Sequence, residues 1–348
     1  MNWYYTWAEA SEAFRELAQR HGEVERIPHG GESPDGDRLT LDVALLGPSD
    51  AERCVIVSSG LHGVEGVAGS AIQRAWLAGA HESSTRIVMI HLLNPFGFAW
   101  QRRVDGDNID LNRNFLLVDE KFAGSPPGWP DVVPWLVPRR PAGRWDPLLP
   151  KALTAAARMG RKAVFQAISG GQYETPEGLF YGGSGPATLQ EVLREGLPRW
   201  TSGARHVLHL DIHTGLGRSG GLQLLLPRRE GTQEADELVR RFGPDARPAL
   251  EKPRHYRVQG GLGSWCEELL PEKSYTLCGA EFGTVSALEV IAALHQENRA
   301  WFHGHREDSS SVWARTRLAH AFAPTSPVWR ERVLKRGLHL IDQATETR

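Results

Sequence analysis

The alternation of apolar and polar positions divides the chain into short strand-like and helix-like segments. Trp7, Phe14 and Leu17 recur at helical spacing and predict a helix near residues 7–20. Leu39, Leu41, Val43 and Leu45 alternate with other residues, the signature of a half-buried strand. CVIVSS at 54–59 is a compact β-branched run, which predicts a buried strand. A Gly-rich turn, GLHGVEG, follows it, then the helix-like GSAIQRAWLAG, then the strand RIVMIHLL at 86–93. HVLHLDIH (206–213), LQLLLP (222–227) and YTLCGAEFG (275–283) read as further core strands. Strand, loop, helix and strand in succession predict an α/β fold, a twisted mixed β-sheet flanked by helices.

Between these strands, residues 123–150 are rich in Pro and Gly and promise little regular structure. Trp129, Trp135 and Trp145 favour a packed excursion there over a plain linker. Helical patterns at 151–168 and 187–197 are separated by the loop SGGQYETPEGLFYGGSGP, and every segment from Val285 onward reads helical. The pattern shows no internal repeat, so we expect one domain over 1–348.

Composition narrows the function. Hydrophobic residues make up 41% of the 348 positions and charged residues 24%, enough apolar material for a large core. Forty basic against 42 acidic residues leave a formal charge of −2, so no field of one sign favours nucleic acid or an anionic membrane. The three cysteines, Cys54, Cys266 and Cys278, form no Cys-x-x-Cys pair, which argues against a disulfide scaffold or thiolate zinc knuckle. The first residues lack a basic start followed by an apolar stretch, and no run approaches 18 apolar residues. The expectation is a cytoplasmic enzyme or binding protein, with a homo-oligomer left open.

Acids, histidines and arginines gather where turns leave the buried strands, the place where open α/β sheets bind ligands. His62 and Glu65 lie three apart on the Gly-rich turn after CVIVSSG. Period 2 places His209, Asp211 and His213 on one strand face. His213 can join His62 and Glu65 in a His₂Glu zinc site with a position left for water, and Asp211 can orient a ligand. RVDGDNIDLNRNF (103–115) is too polar for a core strand; its Asn112 and Arg113 suit a substrate carboxylate. Glu281 ends an apolar run, where a carboxylate is costly unless paired or functional. Taken singly, each has an ordinary explanation: a surface hydrogen bond, a core His–Asp pair, a solvated loop, a salt-bridged strand-end acid.

Their combination resembles the zinc carboxypeptidase superfamily. HGVEG, then R…DLNRNF, then DIH, then EFG follow that family's order over roughly residues 50–300. The superfamily includes carboxypeptidase A-type peptidases and succinylglutamate desuccinylase/aspartoacylase-type deacylases. The resemblance implies a phosphorylase/hydrolase-like sheet and one Zn²⁺ per chain on His62, Glu65 and His213. It also implies Glu281 as general base and Arg103, seven before Asp110, as oxyanion partner. Asn112 and Arg113 become carboxylate binders, and Tyr256, ahead of Gly260-Gly261, matches the peptidases' mobile tyrosine. The chain departs from the family in an insertion at about 117–205 and a helical extension at about 300–348. The insertion resembles an uncharacterised bacterial branch, and its Tyr173, Phe180 and Tyr181 are candidates to wall the site.

The expected activity is hydrolysis of an amide bond in a small peptide or N-acyl amino acid bearing a carboxylate. A metallo-carboxypeptidase-like enzyme is favoured over a small-molecule N-deacylase or a metal-free binding module on the same fold. Other motifs fail on context. Gly215-Leu216-Gly217-Arg218-Ser219-Gly220 matches Gly-x-Gly-x-x-Gly but leads into a strand, so no helix N-terminus awaits a pyrophosphate. No Gly-x-Ser-x-Gly elbow is present.

Overall fold

The structure is a computed structural model that describes residues 2–79, 83–143, 146–225, 233–243 and 259–346. Seven strands form one sheet: β1 (Gly22–Glu32), β2 (Arg38–Leu46), β3 (Arg53–Ser59), β4 (Arg86–His91), β5 (His206–Gly215), β6 (Leu222–Leu225) and β7 (Ser274–Gly283). Their spatial order is β1-β2-β4-β3-β5-β7-β6. The central β4, β3, β5 and β7 run parallel, while β1, β2 and β6 add antiparallel edges. The sheet is therefore mixed, and its parallel centre is covered on both faces as such sheets require.

Helices α1 (Trp7–Ala18), α2 (Gly66–Leu77) and α12 (Pro327–Thr345) cover one face. There Val55, Val57, Leu210 and Ile212 pack with Phe14, Ile72, Trp76, Val333 and Leu340. The opposite face carries Ile56, Val88, Ile90 and Val207 against Trp200 of α7 (Thr188–Trp200) and against Leu262 and Trp265 of α9 (Leu262–Leu269). Each strand divides its residues between these clusters by the two-residue period.

A third cluster stands beside the sheet. It joins α4 (Trp129–Leu136), α5 (Leu148–Met159) and α6 (Arg161–Ser169) to α10 (Ala287–His303) and α11 (Ser309–Phe322), through Trp129, Val164, Val290, Leu294, Leu318 and Phe322. Two further helices, α3 (Pro95–Ala99) and α8 (Gln233–Phe242), complete the set among the described residues.

Two expectations need correction. Residues 123–150 are not devoid of regular structure, because α4 and the start of α5 fall inside them. Pro130 sits in the first turn of α4, where a missing N–H costs nothing, so only Pro134 removes a helical hydrogen bond. The 22–32 segment, in which no strand was foreseen, is the edge strand β1. Its half-exposed positions and Pro28 hide the alternation that marks inner strands. Trp145, and residues 226–227 of the LQLLLP run, lie outside the described residues.

Candidate functional site

The parallel strands set the site through their register. Ser58 is paired with Asp211 across β3 and β5, and His213 with Glu281 across β5 and β7. His62 and Glu65 come from the turn after β3, where a 3-10 turn at Gly63–Glu65 runs into α2. That turn needs glycine: a Cβ on Gly63 would come within 2.1 Å of the Gly97 backbone. Gly63 N and Val64 N donate to Arg103 O and Arg102 O at 3.1 and 2.8 Å, tying the turn to the loop that carries the arginines.

One ligating atom from each of His62, Glu65 and His213 lies within 4.8 Å of the others, and all three residues are buried. His62 Nδ1 is 2.9 Å from Glu65 Oε1, and His213 Nδ1 is 3.1 Å from Glu65 Oε2. The two rings face each other with centroids 4.9 Å apart. His62 Nδ1 is buried, yet no hydrogen bond satisfies it among the described residues. Two imidazole nitrogens and a carboxylate converging on one point, one nitrogen left unbonded, fit a tetrahedral divalent cation such as zinc.

Carboxylates back both imidazoles. His213 Nε2 donates to Asp211 Oδ2 at 2.6 Å, and His62 Nε2 lies 3.2 Å from Asp110 Oδ1 and 2.7 Å from Arg103 Nη2. Asp110 also caps the 3-10 turn Leu111–Arg113 by accepting from Asn112 N. Arg103 Nε donates to Asp110 Oδ2 at 3.0 Å, and its Nη1 donates to Glu65 Oε1 at 2.9 Å. Burial alone would raise the Asp110 pKa, but Arg103, Arg113 and His62 hold it well below the usual range. Burial would likewise depress His213, but Asp211 and Glu65 lift it well above its ordinary value. Asp110 carried no sequence signal of its own beyond its spacing from Arg103; its contact with His62 spans 48 residues of chain and exists only in the fold.

Glu281 is buried beside this group and accepts a hydrogen bond from Leu216 N at 2.7 Å. Burial, reinforced by the nearby Glu65 charge, pushes its pKa up to about 7. Charge balance also favours a cation here. Glu65, Asp110, Asp211 and Glu281 outnumber the guanidiniums of Arg103 and Arg113, an excess that protons on His213 and Glu281 meet in the metal-free site and that a divalent ion can meet in their place.

The site opens into a cavity of about 590 Å³ whose lining includes Arg103, Asn112, Arg113, Phe180 and Glu281. Arg113 donates to Asn112 O at 2.9 Å and to Ser169 O, at the end of α6, at 2.8 Å. Asn112 Oδ1 accepts from Leu262 N at 3.2 Å. Phe180 lies over both guanidiniums, 5.3 Å from Arg103 and 5.6 Å from Arg113. Of the three aromatic wall candidates, Phe180 faces the cavity. Tyr173 instead turns its hydroxyl to Arg113 O at 2.7 Å, and Tyr181 packs in the core under α7 and α9. Arg102 is bound to Glu297 and Asn108 under the Trp301 ring, which leaves Arg103 as the arginine of the pair within reach of the ligand triad. Tyr256 lies outside the described residues.

Cys54, Cys266 and Cys278 are buried and unpaired, and burial pushes each thiol up to about 12, far from a reactive thiolate. The Gly215–Gly220 segment leads into β6 and not into a helix. No helix among the described residues is long and apolar enough to cross a membrane.

The chain is similar to several solved structures at low identity. Murein-tripeptide amidase MpaA from Escherichia coli O157 aligns at 16% identity and TM-score 0.40, over 84% of this chain and 98% of that one. Carboxypeptidase A from Helicoverpa armigera aligns at 14% and 0.46, over 92% and 74%. A metallo-carboxypeptidase from Pseudomonas aeruginosa, in complex with (2-guanidinoethylmercapto)succinic acid, aligns at 14% and 0.38, over 97% and 69%. No curated protein matches the chain. The family model that matches, over residues 3–336, is described as "Protein of unknown function (DUF2817)", and the chain belongs to that family.

Proposed function

We propose that this protein is a zinc-dependent hydrolase that cleaves an amide bond in a small peptide or N-acyl amino acid, with a metallo-carboxypeptidase-like activity favoured. The observation that carries the reading is the convergence of His62, Glu65 and His213 beside a buried Glu281 on the neighbouring strand. These three residues would hold zinc, whose Lewis acidity lowers the pKa of water from ~15.7 towards ~7 and polarises a carbonyl.

The chain's own residues supply the rest. Glu281, with a pKa near neutrality, takes the proton of the attacking water and returns it to the leaving amine, a role worth ~10²–10⁴-fold. Arg103 lines the cavity and directs N–H donors at the charge that develops on the carbonyl oxygen. Asn112 and Arg113 bind a substrate carboxylate. Asp110 and Asp211 hold the two imidazoles in orientation.

One feature favours the second reading, an N-deacylase. Phe165, Ser169 and Phe180, all from the 117–205 segment, contribute to the cavity lining, and a cavity narrowed in this way suits small substrates. The deciding experiment is zinc analysis of the purified protein with a panel of short peptides and N-acyl amino acids. Stoichiometric zinc and zinc-dependent amine release support the proposal, and the ratio of the two substrate classes separates its branches. A metal-free protein that still binds these ligands without turnover would establish a binding module instead.

A further inference from the structure

Behind Asp211 lies a line of buried polar side chains that the proposed chemistry does not use. Ser58 Oγ is 2.6 Å from Asp211 Oδ1 and 2.7 Å from His209 Nε2, and His209 Nδ1 is 2.6 Å from the Tyr275 hydroxyl. Ser58, His209, Asp211 and Tyr275 are each no more than 2% exposed. Three strands contribute: Ser58 from β3, His209 and Asp211 from β5, Tyr275 from β7.

The short Ser58–Asp211 contact fixes every proton in this line. Two oxygens at 2.6 Å need a hydrogen between them; Asp211 already accepts from His213 Nε2 on its other oxygen, and the serine hydroxyl is the donor at this one, so the Ser58 O–H donates to Asp211. Serine has only that one hydrogen. His209 Nε2 must then be the donor to Ser58 Oγ. Burial brings the His209 pKa down to about 4, so its ring is neutral and Nδ1 is an acceptor. Nδ1 therefore receives the Tyr275 O–H. The opposite direction would leave Ser58 Oγ and Asp211 Oδ1 in contact without a proton.

We propose that Tyr275, His209 and Ser58 form a one-way hydrogen-bond relay that locks the Asp211 carboxylate and so presents His213 Nδ1, and not Nε2, to the cation. With Oδ1 held by Ser58, Oδ2 accepts from His213 Nε2–H at 2.6 Å. That bond keeps the Nε2 proton in place, so the proton a cation would displace is the one on Nδ1, beside Glu65 and His62. The three are positioning residues that act through Asp211. The inference rests on the proposed zinc site for its consequence but not for its geometry, which belongs to the chain alone.

The test compares Ser58→Ala, Ser58→Thr and Tyr275→Phe with the parent protein. Zinc affinity is measured by chelator competition, and the protonation of each His209 nitrogen by ¹⁵N NMR of the metal-free protein. Ser58→Ala should weaken zinc by about 10–100-fold and populate both His209 tautomers. Ser58→Thr, which keeps the hydroxyl, should restore zinc binding to within about threefold of the parent. Tyr275→Phe conserves shape and provides the readout if Ser58→Ala does not fold; it should shift the His209 tautomer and weaken zinc less than Ser58→Ala. Unchanged zinc affinity and an unchanged His209 Nε2–H signal in the folded variants would overturn the relay. If the parent binds no zinc, the proposed function fails, while the His209 tautomer in Ser58→Ala or Tyr275→Phe still decides the relay.

Discussion

His213 and Glu281 are lateral partners in the parallel register of β5 and β7. Adjacent strands lie ~4.8 Å apart, so an imidazole of the ligand triad and a buried carboxylate share one edge of the cavity. Glu281→Gln keeps the shape and the bond from Leu216 N but removes the base. Zinc content should stay at the parent level while turnover falls by ~10²-fold or more. In the parent, kcat/KM should fall as pH drops below about 7, because the proton acceptor must be ionised, and that limb should vanish in the variant. Parent-like turnover in Glu281→Gln removes this carboxylate from the mechanism.

Zinc and protons compete for His213. Asp211 and Glu65 raise its pKa well above the ordinary value against the effect of burial, so the metal-free site holds a proton there at neutral pH. A ligating imidazole must be neutral. Zinc affinity should therefore rise with pH through the neutral range, with a proton released on binding. Calorimetry in buffers of different ionisation enthalpy measures that proton directly. A pH-independent affinity would mean that His213 is already neutral before the metal arrives.

The sequence made the strand ends legible because chemistry and pattern coincide there. A β-branched run stops and a His or Glu begins, as at Ser59 to His62 and at Ala280 to Glu281. Period 2 along β5 placed His209, Asp211 and His213 on one face, and Leu208, Leu210 and Ile212 do pack on the other. What stayed hidden depends on register and distance along the chain. Nothing in Ser58 announces Asp211, 153 residues away, as its partner; only the alignment of β3 against β5 brings them together. Phe180 was legible as an aromatic in a Gly-rich loop, but its place over two guanidiniums was not.

The first ligand and the carboxylate behind it should respond differently to mutation. His62→Ala leaves two ligands and should abolish stoichiometric zinc, because a catalytic site has only three protein ligands. Asp110→Asn removes the charge behind His62 while keeping its shape, and should weaken zinc by about 10–100-fold. Zinc titration of both variants checks the ranking. Equal, small effects would move the first ligand elsewhere.

Arg103 links chemistry to stability. Its guanidinium neutralises Asp110 and Glu65, both buried, so Arg103→Ala strands two carboxylates as well as removing an oxyanion donor. Turnover should fall by ~10²–10³-fold. The metal-free variant should also unfold at lower denaturant, with zinc recovering part of the loss by supplying positive charge. Turnover lost with no change in unfolding would mean that the two ion pairs contribute nothing to the fold.

Phe180 separates backbone strain from cavity shape. Its φ is +54°, in the left-handed region that costs a residue with a Cβ about 1–2 kcal/mol. The side chain is buried over Arg103 and Arg113, so the ring's contacts offset that cost. Phe180→Ala and Phe180→Gly remove the same ring, but only glycine relaxes the backbone. Denaturant unfolding should therefore find the Gly variant more stable than the Ala variant by about 1–2 kcal/mol. Both should keep zinc and open the cavity beside the arginines, raising KM for the smallest substrate and admitting bulkier ones. If the two variants unfold together, the left-handed conformation at residue 180 carries no strain. If substrate preference stays fixed while zinc is retained, the ring is a prop for the arginines and does not define the wall that substrates meet.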